Sequence, residues 1–441
     1  MRRATMFVSG FVGLLLVFTP GPLSPQQLSK FDRDDALQML RSVAADVQKN
    51  YYDPKLHGLD WDAKVQQAKE NIAKADTMDS AMAEIAALLD SLNDSHTSFV
   101  PPPRNYLHKY GFRLRMVGDR CYVIRIHADS DAEKKGLKVG DQVLSINGLP
   151  VSRKTLWRIQ YVYNHLRPQP GLRLTLAAQS GDPHHLDVMA KLEINHVVKY
   201  ALHQGVNQMA QDWDEEGRLL EPQYFENGDA FLAIRIPAFA FSAEQVDRIF
   251  GKMRKHKGVV LDLRGNPGGF EDMVDRMVGA LFQNDVKVYD RVRRNSTRAV
   301  SVSGRHHDAF TGKFAVLVDC ASASASELFA RIVQLEKRGY ILGDRTAGMV
   351  MEAQSFSHEA FADSGAFGAY YGVEVTEADL IMSDGKSLEH VGVEPDIMIL
   401  PTAQDLANKR DPAMAKAAGL VGLRITPEEA GSMFPDKEKN F

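Results

Sequence analysis

Two almost continuous apolar runs in the C-terminal half constrain the fold more than any other feature of the chain. Val259–Leu263 and Phe314–Val318 have the composition of strands that are buried on both faces of a sheet. Each run ends in a loop of small residues, and a helical pattern follows from near Asp272 or Ser326. Strands that alternate with helices in this way predict an α/β fold with a mostly parallel central sheet. We expect residues 200–401 to form this core.

A further strand and a capped helix begin the same core. Phe231–Ile236 is predicted as a strand and Ser242–Lys255 as a helix. Ser242 at the start of that helix and Gln245 three residues later form the pattern of a capping box. The residues after the core, 402–441, are polar in pattern, and we expect them to form a peripheral tail.

The chain ahead of the core divides into a helical region and a region of short strands. Residues 28–103 predict helices, because their apolar residues recur at three- and four-residue spacing. Residues 104–195 contain alternating segments and apolar runs such as Cys121–Ile126, which indicate strands. The polar turn Asn93–Phe99, which contains His96, precedes three prolines and marks the boundary between the two regions.

The strand-rich region contains a characteristic series of turns. Ala132–Gly148 predicts a helical turn ended by a glycine, a second tight turn, and a strand that ends at Asn147-Gly148. This series resembles a PDZ domain. PDZ domains bind an extended peptide as an added strand, and their backbone amides bind its terminal carboxylate. The resemblance implies a carboxylate-binding loop at Tyr110, Gly111, Phe112 and Arg113. The alternative is a PDZ fold that serves only as a spacer.

Composition excludes several classes of protein. The 441 residues are 44% hydrophobic and 25% charged, which is ordinary for a globular protein. The formal net charge is -4 and no basic stripe dominates, so we expect no nucleic-acid partner. Two cysteines, Cys121 and Cys320, are too few for a disulfide framework. Both lie in runs that indicate buried strands, so we expect no bridge between them.

Residues 1–25 have the pattern of an export signal. Arg2 and Arg3 precede the apolar stretch Met6–Phe18, and turn-forming residues follow it. This stretch is shorter than the ~20 residues that span a bilayer, which favours a signal peptide. A retained N-terminal anchor is the alternative, and it would be the only contact with a membrane. In both cases we expect the body of the protein outside the cytoplasm, in the periplasm or the medium.

Two loops at the ends of the buried strands suggest chemistry. Asp262–Gly269 ends in Gly268 and Gly269, and glycines let a substrate approach backbone N–H groups closely, as an oxyanion hole requires. The second loop, Asp319–Phe329, carries three serines near a helix N-terminus, where the helix dipole stabilises negative charge. Taken singly, a tight turn explains the first loop and helix capping explains the second.

Four motifs connect these loops to a family. They are LDLRGNPGG from residue 261, SASASELFARIVQ from residue 322, GDRTAG from residue 343 and GVEPDI from residue 392. Their order and spacing resemble the C-terminal-processing (tail-specific) peptidases, a family that also contains the tricorn core. The resemblance covers about Phe31 to Pro401. It implies a serine peptidase with a crotonase/ClpP-like core, with neither a metal nor an organic cofactor, that acts on proteins or peptides with free C-terminal tails.

The resemblance also assigns roles to residues. The serine that Ala-Ser-Glu follows, Ser324, is the implied nucleophile. The implied oxyanion donors are the backbone N–H of Ala325 and one from Gly268 or Gly269. Ser322 and Ser326 are left with packing or capping roles.

The general base is where this chain departs from many members of the family, which use a lysine. Met349 stands at that position, and a thioether cannot take up a proton. Arg345 cannot replace the lysine, because guanidinium stays protonated. The tricorn-like branch instead uses a histidine that follows a serine, which corresponds here to Ser95 and His96. Imidazole titrates near neutrality and suits general base catalysis.

A carboxylate or another polar group is needed to orient the histidine. Glu389 is the candidate for the tricorn-like glutamate, with Ser95 as the link to His96. Glu327, close to the nucleophile, is an open alternative, and His390 is a further candidate base. The histidine pairs at 184–185 and 306–307 have no third ligand at characteristic spacing, so we expect no metal site.

The sequence therefore predicts an exported serine endopeptidase that engages C-terminal tails through a PDZ domain. The alternative from another class is a non-catalytic ligand- or peptide-binding protein on the same scaffold, which the methionine at position 349 favours. A regulated peptidase that is inactive until the PDZ domain moves is a third possibility. The approach of His96 to Ser324 separates the first two.

Overall fold

The computed structural model of the protein describes residues 28–178, 182–195, 220–359 and 370–434. The predicted export signal, residues 1–25, lies outside the described residues. The predicted fold class is confirmed: an α/β core with a mostly parallel sheet, a strand-rich domain inserted before it, and a helical N-terminal region. Among the helices that the structure describes, none is long and apolar enough to cross a bilayer.

The N-terminal region consists of three helices packed by their apolar faces. They are α1 (Lys30–Asn50), α2 (Trp61–Lys74) and α3 (Met78–Asp90). Each begins at a residue whose side chain accepts a hydrogen bond from a first-turn N–H: Ser29, Asp60 and Thr77. A short strand, β1 (Ser98–Val100), follows α3 and the turn that contains His96.

The inserted domain is built on an antiparallel sheet. Its strands are β2 (Tyr106–Lys109), β3 (Phe112–Val117), β4 (Arg120–Ile126), β5 (Gln142–Ile146), β6 (Leu149–Pro150), β7 (Gly171–Leu176), β8 (His184–Met189) and β9 (Lys191–Ile194). Its helices are α4 (Asp131–Lys134) and α5 (Leu156–Tyr161), which continues into a π-helical turn (Val162–Leu166). The strand order is β3-β4-β5-β7-β8, with β6 on β5 and β2 paired with β9. Strand β3 therefore lies at a sheet edge.

The core sheet has six strands, and all but one of their pairings are parallel. Across the sheet they are β10 (Gln223–Asn227), β11 (Phe231–Arg235), β12 (Gly258–Asp262), β15 (Lys313–Val318), β16 (Tyr340–Gly343) and β19 (Ile397–Met398). Helices α6 (Ala243–Met253), α7 (Glu271–Gly279) and α8 (Ala325–Leu335) follow β11, β12 and β15. The capping box at Ser242 and Gln245 is confirmed, and so are the two buried strands, β12 and β15.

A second, antiparallel sheet joins the N-terminal region to the core, and the sequence did not predict it. It contains β1 with β13 (Val286–Arg293), β14 (Ser296–Val302), β17 (Met351–Glu359) and β18 (Tyr370–Met382). The order is β1-β18-β13-β14, and β17 also pairs with β18. Because β1 pairs with β18 from Ser98 to Val100, the turn before β1 is held beside the core.

The prediction of a peripheral C-terminal tail is wrong for residues 402–434. Helices α9 (Ala403–Ala407), α10 (Pro412–Val421) and α11 (Pro427–Gly431) follow the core, and α10 packs on β12 and β15. The face of α10 against the sheet is built from small apolar residues: Ala413, Met414, Ala417 and Ala418. A parallel sheet needs cover on both faces, so this helix completes the fold. The ion pair between Arg264 and Asp411 (2.6 Å) joins it to the loop after β12.

Both cysteines are free, as expected. Cys121 lies in β4, but Cys320 follows β15 in a turn, where its thiol donates to the carbonyl of Met116 in β3 (3.0 Å). The expectation that Cys320 lies within a buried strand is therefore wrong. The inserted domain and the core meet at this point. Arg115 of β3 also pairs there with Asp319 at the end of β15 (3.0 Å).

Candidate active site

Ser324 lies in a sharp turn between β15 and α8. Its backbone has φ 51° and ψ −116°, a region that residues with a side chain rarely occupy. A serine on a strained strand-to-helix turn is the arrangement of a nucleophile elbow, which exposes the hydroxyl above the sheet. The Ser324 N–H donates to the carbonyl of Met349 (2.8 Å) and to Glu327 Oε2 (3.1 Å). These two contacts hold the turn.

The side chain of His96 contacts the hydroxyl of Ser324. Its Nε2 lies 3.3 Å from Ser324 Oγ. Asp94 fixes the histidine turn, because its Oδ1 accepts hydrogen bonds from the N–H groups of His96 (2.9 Å) and Thr97 (2.6 Å). The same oxygen accepts the hydroxyl of Thr376 in β18 (2.8 Å), which ties the turn to the second sheet.

A chain of hydrogen bonds continues behind the histidine. Ser95 Oγ lies 2.8 Å from His96 Nδ1 and donates to Glu389 Oε2 (2.8 Å). The N–H of Ser95 donates to the other carboxylate oxygen, Oε1 (2.8 Å), and the N–H of Val350 donates to Oε2 (2.9 Å). The structure therefore brings together all four predicted residues: Ser324, His96, Ser95 and Glu389.

Burial shifts the pKa values in this chain in opposite directions. It lowers the pKa of His96, against the opposing effect of the Asp94 carboxylate, so the imidazole is neutral at neutral pH and able to accept a proton. Burial raises the pKa of Glu389, and hydrogen bonds from Val350 and Ser95 oppose that shift. His390 lies 3.6 Å from Glu389, and its Nε2 bonds with the carbonyl of Asn93 (2.7 Å).

The glycine loop lies against the nucleophile. A Cβ on Gly268 would lie 2.9 Å from Ser324 Cβ and 3.0 Å from the amide nitrogen of Ala325. The N–H of Gly268 donates to Asn266 Oδ1 (2.8 Å), so this N–H group is already engaged in a hydrogen bond. The amides of Gly269 and Ala325, by contrast, make no hydrogen bond within the part of the chain that the structure describes. Of the two predicted glycines, Gly269 is therefore the candidate oxyanion donor, and Gly268 supplies the space.

The other two serines join the loops. Ser322 Oγ donates to the carbonyl of Leu263 (2.8 Å), and Ser326 Oγ donates to that of Asn266 (3.0 Å). The carbonyl of Asn266 also accepts from the N–H of Ala323 (3.0 Å), and its side-chain amide donates to Ile236 (2.9 Å). Sequence reasoning missed Asn266, which lies in LDLRGNPGG and could have been singled out there.

Glu327, the alternative carboxylate for orienting the histidine, contacts other groups instead. It is fully buried, and its carboxylate accepts hydrogen bonds from the N–H groups of Ser324, Gly348 (2.8 Å) and Met349 (2.9 Å) and from the hydroxyl of Thr346. Burial raises its pKa to about 7, although all four hydrogen bonds oppose the shift. Its partners belong to the nucleophile turn and the Thr346–Met349 turn, whereas Glu389 reaches His96 through Ser95.

The predicted carboxylate loop of the inserted domain lies at the start of edge strand β3. Gly111 has φ +76°, and its carbonyl accepts the N–H of His127 (2.9 Å). The side chain of Tyr110 is buried, and its hydroxyl donates to the carbonyl of Gln169 (3.1 Å). Phe112 and Arg113 open β3 and pair with Ile126 and Arg125. No group of three or more His, Cys, Asp or Glu side chains within the described ranges is arranged to hold a metal.

Comparison with known protein families identifies two of these domains. Residues 231–399 match the model of peptidase family S41, and residues 102–164 match that of the PDZ domain. A probable CtpA-like serine protease of Staphylococcus aureus (strain N315) is 23% identical over 344 residues, 74% of this chain and 61% of the relative. The chain therefore spans about three-fifths of the length of that relative. The chloroplastic carboxyl-terminal-processing peptidase 1 of Arabidopsis thaliana is 23% identical over 394 residues, 85% of this chain and 73% of the relative.

A solved structure shares the fold. The crystal structure of mature CPAF aligns with 86% of this chain, and the alignment includes 94% of the CPAF chain. The TM-score is 0.62 and the sequence identity is 15%. The order of the matched domains agrees with the structure, in which the strand-rich domain precedes the parallel sheet that carries Ser324. These matches show that residues 231–399 are similar to peptidase family S41 and that residues similar to a PDZ domain precede them in the chain.

Proposed function

We propose that this protein is an exported serine endopeptidase that hydrolyses peptide bonds in protein substrates and engages their C-terminal tails through its PDZ domain. One observation carries the catalytic part. His96 Nε2 lies 3.3 Å from Ser324 Oγ, at the end of an unbroken chain of hydrogen bonds through Ser95 to Glu389. A nucleophile within reach of a base that a third group orients is the arrangement of an activated serine.

The first step is acylation. Ser324 Oγ attacks the substrate carbonyl carbon and passes its proton to His96 Nε2. Because Nε2 must be free to accept it, the resting proton of the imidazole is on Nδ1, where it is donated to Ser95 Oγ. Ser95 in turn donates to Glu389, so the positive charge that forms on the histidine faces a carboxylate through one hydroxyl. The amides of Ala325 and Gly269 hold the oxyanion.

The second step completes the cycle. The tetrahedral intermediate collapses, the peptide C–N bond breaks, and the imidazolium returns its proton to the leaving amine. Water then attacks the acyl-enzyme with His96 again as the base, which releases the new carboxyl terminus and restores Ser324. The methionine at position 349 takes no part in this proton transfer, so the histidine replaces the lysine that other members use.

The edge strand of the PDZ domain supports the proposal for substrate tails. Leu114 of β3 faces Val123 of β4, and the N–H and C=O of Val123 bond to Asp141 and Gly140 on its other side. In an antiparallel pair, the backbone groups of Leu114 therefore also turn away from β4, toward the outer edge of the sheet. An extended tail added there runs antiparallel to β3, with its carboxylate at the Gly111 turn. The pattern of residues 1–25 supports export.

Labelling with a fluorophosphonate probe tests the catalytic proposal. We expect the purified mature protein to be labelled, with Ser324→Ala abolishing the reaction and His96→Ala slowing it by about 10²- to 10⁴-fold, the contribution of a general base. Ser322→Ala and Ser326→Ala change the neighbouring serines and serve as controls that the probe reacts with Ser324. If the wild type stays unlabelled, with and without a tail peptide, the binding-protein alternative replaces this proposal.

A further inference from the structure

Glu327 is the most buried carboxylate beside the nucleophile, and the catalytic steps above do not use it. Its carboxylate lies between two turns. Ser324, at the start of α8, donates its N–H to Oε2, and so does Met349 (2.9 Å). Thr346 and Gly348 donate to Oε1. One side chain thus binds the nucleophile turn to the turn that follows β16.

Only an ionised carboxylate can accept hydrogen bonds from all four donors at the same time. Its two oxygens have about four lone-pair sites and carry no hydrogen. A protonated carboxyl group presents an O–H toward the same donors, and a glutamine presents an NH₂ group toward two of them. Three of the donors are backbone N–H groups. They cannot turn round to accept, so loss of the charge weakens the contacts.

The contacts matter because the backbone of Ser324 is strained. A residue with φ 51° persists only when its surroundings hold it there. The position of Ser324 Oγ relative to His96 Nε2 depends on that conformation, and the candidate oxyanion donor Ala325 is the next residue. If the turn relaxes, both the attacking oxygen and the oxyanion donor are displaced together.

We propose that Glu327 is a positioning residue of the nucleophile, whose ionised carboxylate clamps the strained Ser324 turn to the Thr346–Met349 turn. This inference rests on the proposed peptidase function. It differs from the role of Glu389, which acts on the histidine. It further implies that proton uptake by Glu327 switches the nucleophile off.

The environment of Glu327 sets the pH at which this occurs. Burial raises its pKa to about 7, above the lowered pKa of His96. Titratable groups on the surrounding elements include His96, whose ring contacts Ser324 Oγ, and Glu389, whose carboxylate accepts the N–H of Val350. Asp344 precedes the Thr346–Met349 turn in the chain, and Arg153 forms an ion pair with Asp344 (2.6 Å). Activity should therefore fall as pH drops through about 7, before the histidine itself is protonated.

The test is the rate of fluorophosphonate labelling between pH 5 and 9, with Glu327→Gln beside the wild type. We expect the variant to react roughly 10- to 100-fold more slowly at high pH, the loss of charge-assisted hydrogen bonds. The fall in the labelling rate of the variant on the acid side, its acid limb, should move to lower pH, because only His96 then titrates. A residue that merely supports the fold would lower the rate without moving the limb. Glu429→Gln, in the exposed capping box of α11, is the matched control.

A second pair of variants keeps the test decisive if Glu327→Gln does not fold. Thr346→Val removes one donor to the carboxylate and should slow labelling several-fold, whereas Thr346→Ser keeps the hydroxyl and should restore it. Wild-type rates in both Glu327→Gln and Thr346→Val, or an acid limb that does not move in a folded Glu327→Gln protein, would overturn the clamp alone. A wild-type protein that no probe labels would overturn the proposed function, and the clamp with it.

Discussion

The two halves of the candidate site are built in different ways. Ser324 and Gly269 lie on loops that leave β15 and β12, which are adjacent parallel strands of one sheet. The carboxyl ends of such strands meet at the same edge, so these residues are neighbours as soon as the sheet forms. His96 instead lies 228 residues before the nucleophile, on a turn of the N-terminal region. It reaches the site through β1, which pairs with β18 over three residues.

This difference separates the chemistry that the core supplies from the chemistry that a long-range contact supplies. The core alone positions the proposed nucleophile and the proposed oxyanion donors. The proposed base, His96, is positioned by the second sheet, where Asp94 and Thr97 bond to Thr376. Damage to the first half should disturb attack geometry, and damage to the second should disturb proton transfer. The predictions below probe this division, in order of decreasing effect.

Glu389→Gln should cause the largest loss. A glutamine side chain can donate to Ser95 Oγ, which then donates to His96 Nδ1 and leaves the resting proton on the wrong nitrogen. We expect a loss of about 10²- to 10⁴-fold in labelling rate, the range for general base catalysis. His390→Gln, which changes the adjacent ring that bonds to the Asn93 carbonyl, is the matched control. An equal loss in both variants would show that the loop, and not the carboxylate, matters.

Gly268→Ala should damage the nucleophile half. The added Cβ would lie 2.9 Å from Ser324 Cβ, at a residue with φ +107°. Since the oxyanion turn must move, we expect a loss of about 10²-fold in labelling rate, similar to the loss of an oxyanion donor. Gly228→Ala is the control, because Gly228 also has positive φ but open space around it. Equal rates for Gly268→Ala and wild type would contradict the close packing.

Thr376→Val should loosen the base half without touching the nucleophile. The change removes a buried hydroxyl that donates to Asp94 and receives from Thr97. We expect the free energy of unfolding to fall by about 1–3 kcal/mol, with a several-fold loss of labelling rate. Thermal unfolding and labelling measure the two effects. Thr175→Val, at the hydroxyl pair with Ser145 in the PDZ domain, should destabilise without the loss of labelling.

The pH dependence of stability should show the burial of Glu327 itself. Its pKa rises on folding from 4.5 to about 7, so the folded state binds a proton more tightly. Its contribution is therefore most favourable at low pH, and the free energy of unfolding falls between pH 4.5 and 7 by up to about 3 kcal/mol. In Glu327→Gln this part of the slope should be absent. Parallel pH profiles from chemical denaturation in both proteins would contradict the shift.

The sequence predicted the nucleophile half more completely than the rest of the molecule. Apolar runs identified β12 and β15, and the motifs that follow them placed Ser324 and the glycine turn. These signals are local, because a buried parallel strand and its loop are contiguous in the chain. The family resemblance was needed to choose Ser324 among the three serines of its loop. It was also needed to choose His96 and Glu389, since a single polar turn with a histidine is common on protein surfaces.

Three features could not be predicted, for physical reasons that differ. Glu327 looks like an ordinary first-turn glutamate, which favours a helix N-terminus, and its burial depends on a later turn folding over it. Thr376 contacts Thr97 and Asp94 only because distant strands of one sheet pair, and that pairing leaves no local pattern in the sequence. The sequence predicts a peripheral tail where helix α10 lies, because the apolar face of that helix is made mainly of alanines. Alanine indicates a helix well but gives little sign of burial.

The conformation of Ser324 has a consequence for selection on this chain. A non-glycine residue held at such backbone angles costs on the order of 1–3 kcal/mol, which is a large fraction of the 5–15 kcal/mol by which proteins are typically stable. Glycine at position 324 would relieve that strain, and the lost side-chain volume would be that of one hydroxymethyl group. A lineage that used this scaffold only to bind ligands would drift toward the more stable variant. A serine at φ 51° is therefore costly to hold at this position unless its hydroxyl is used, as the proposed function requires.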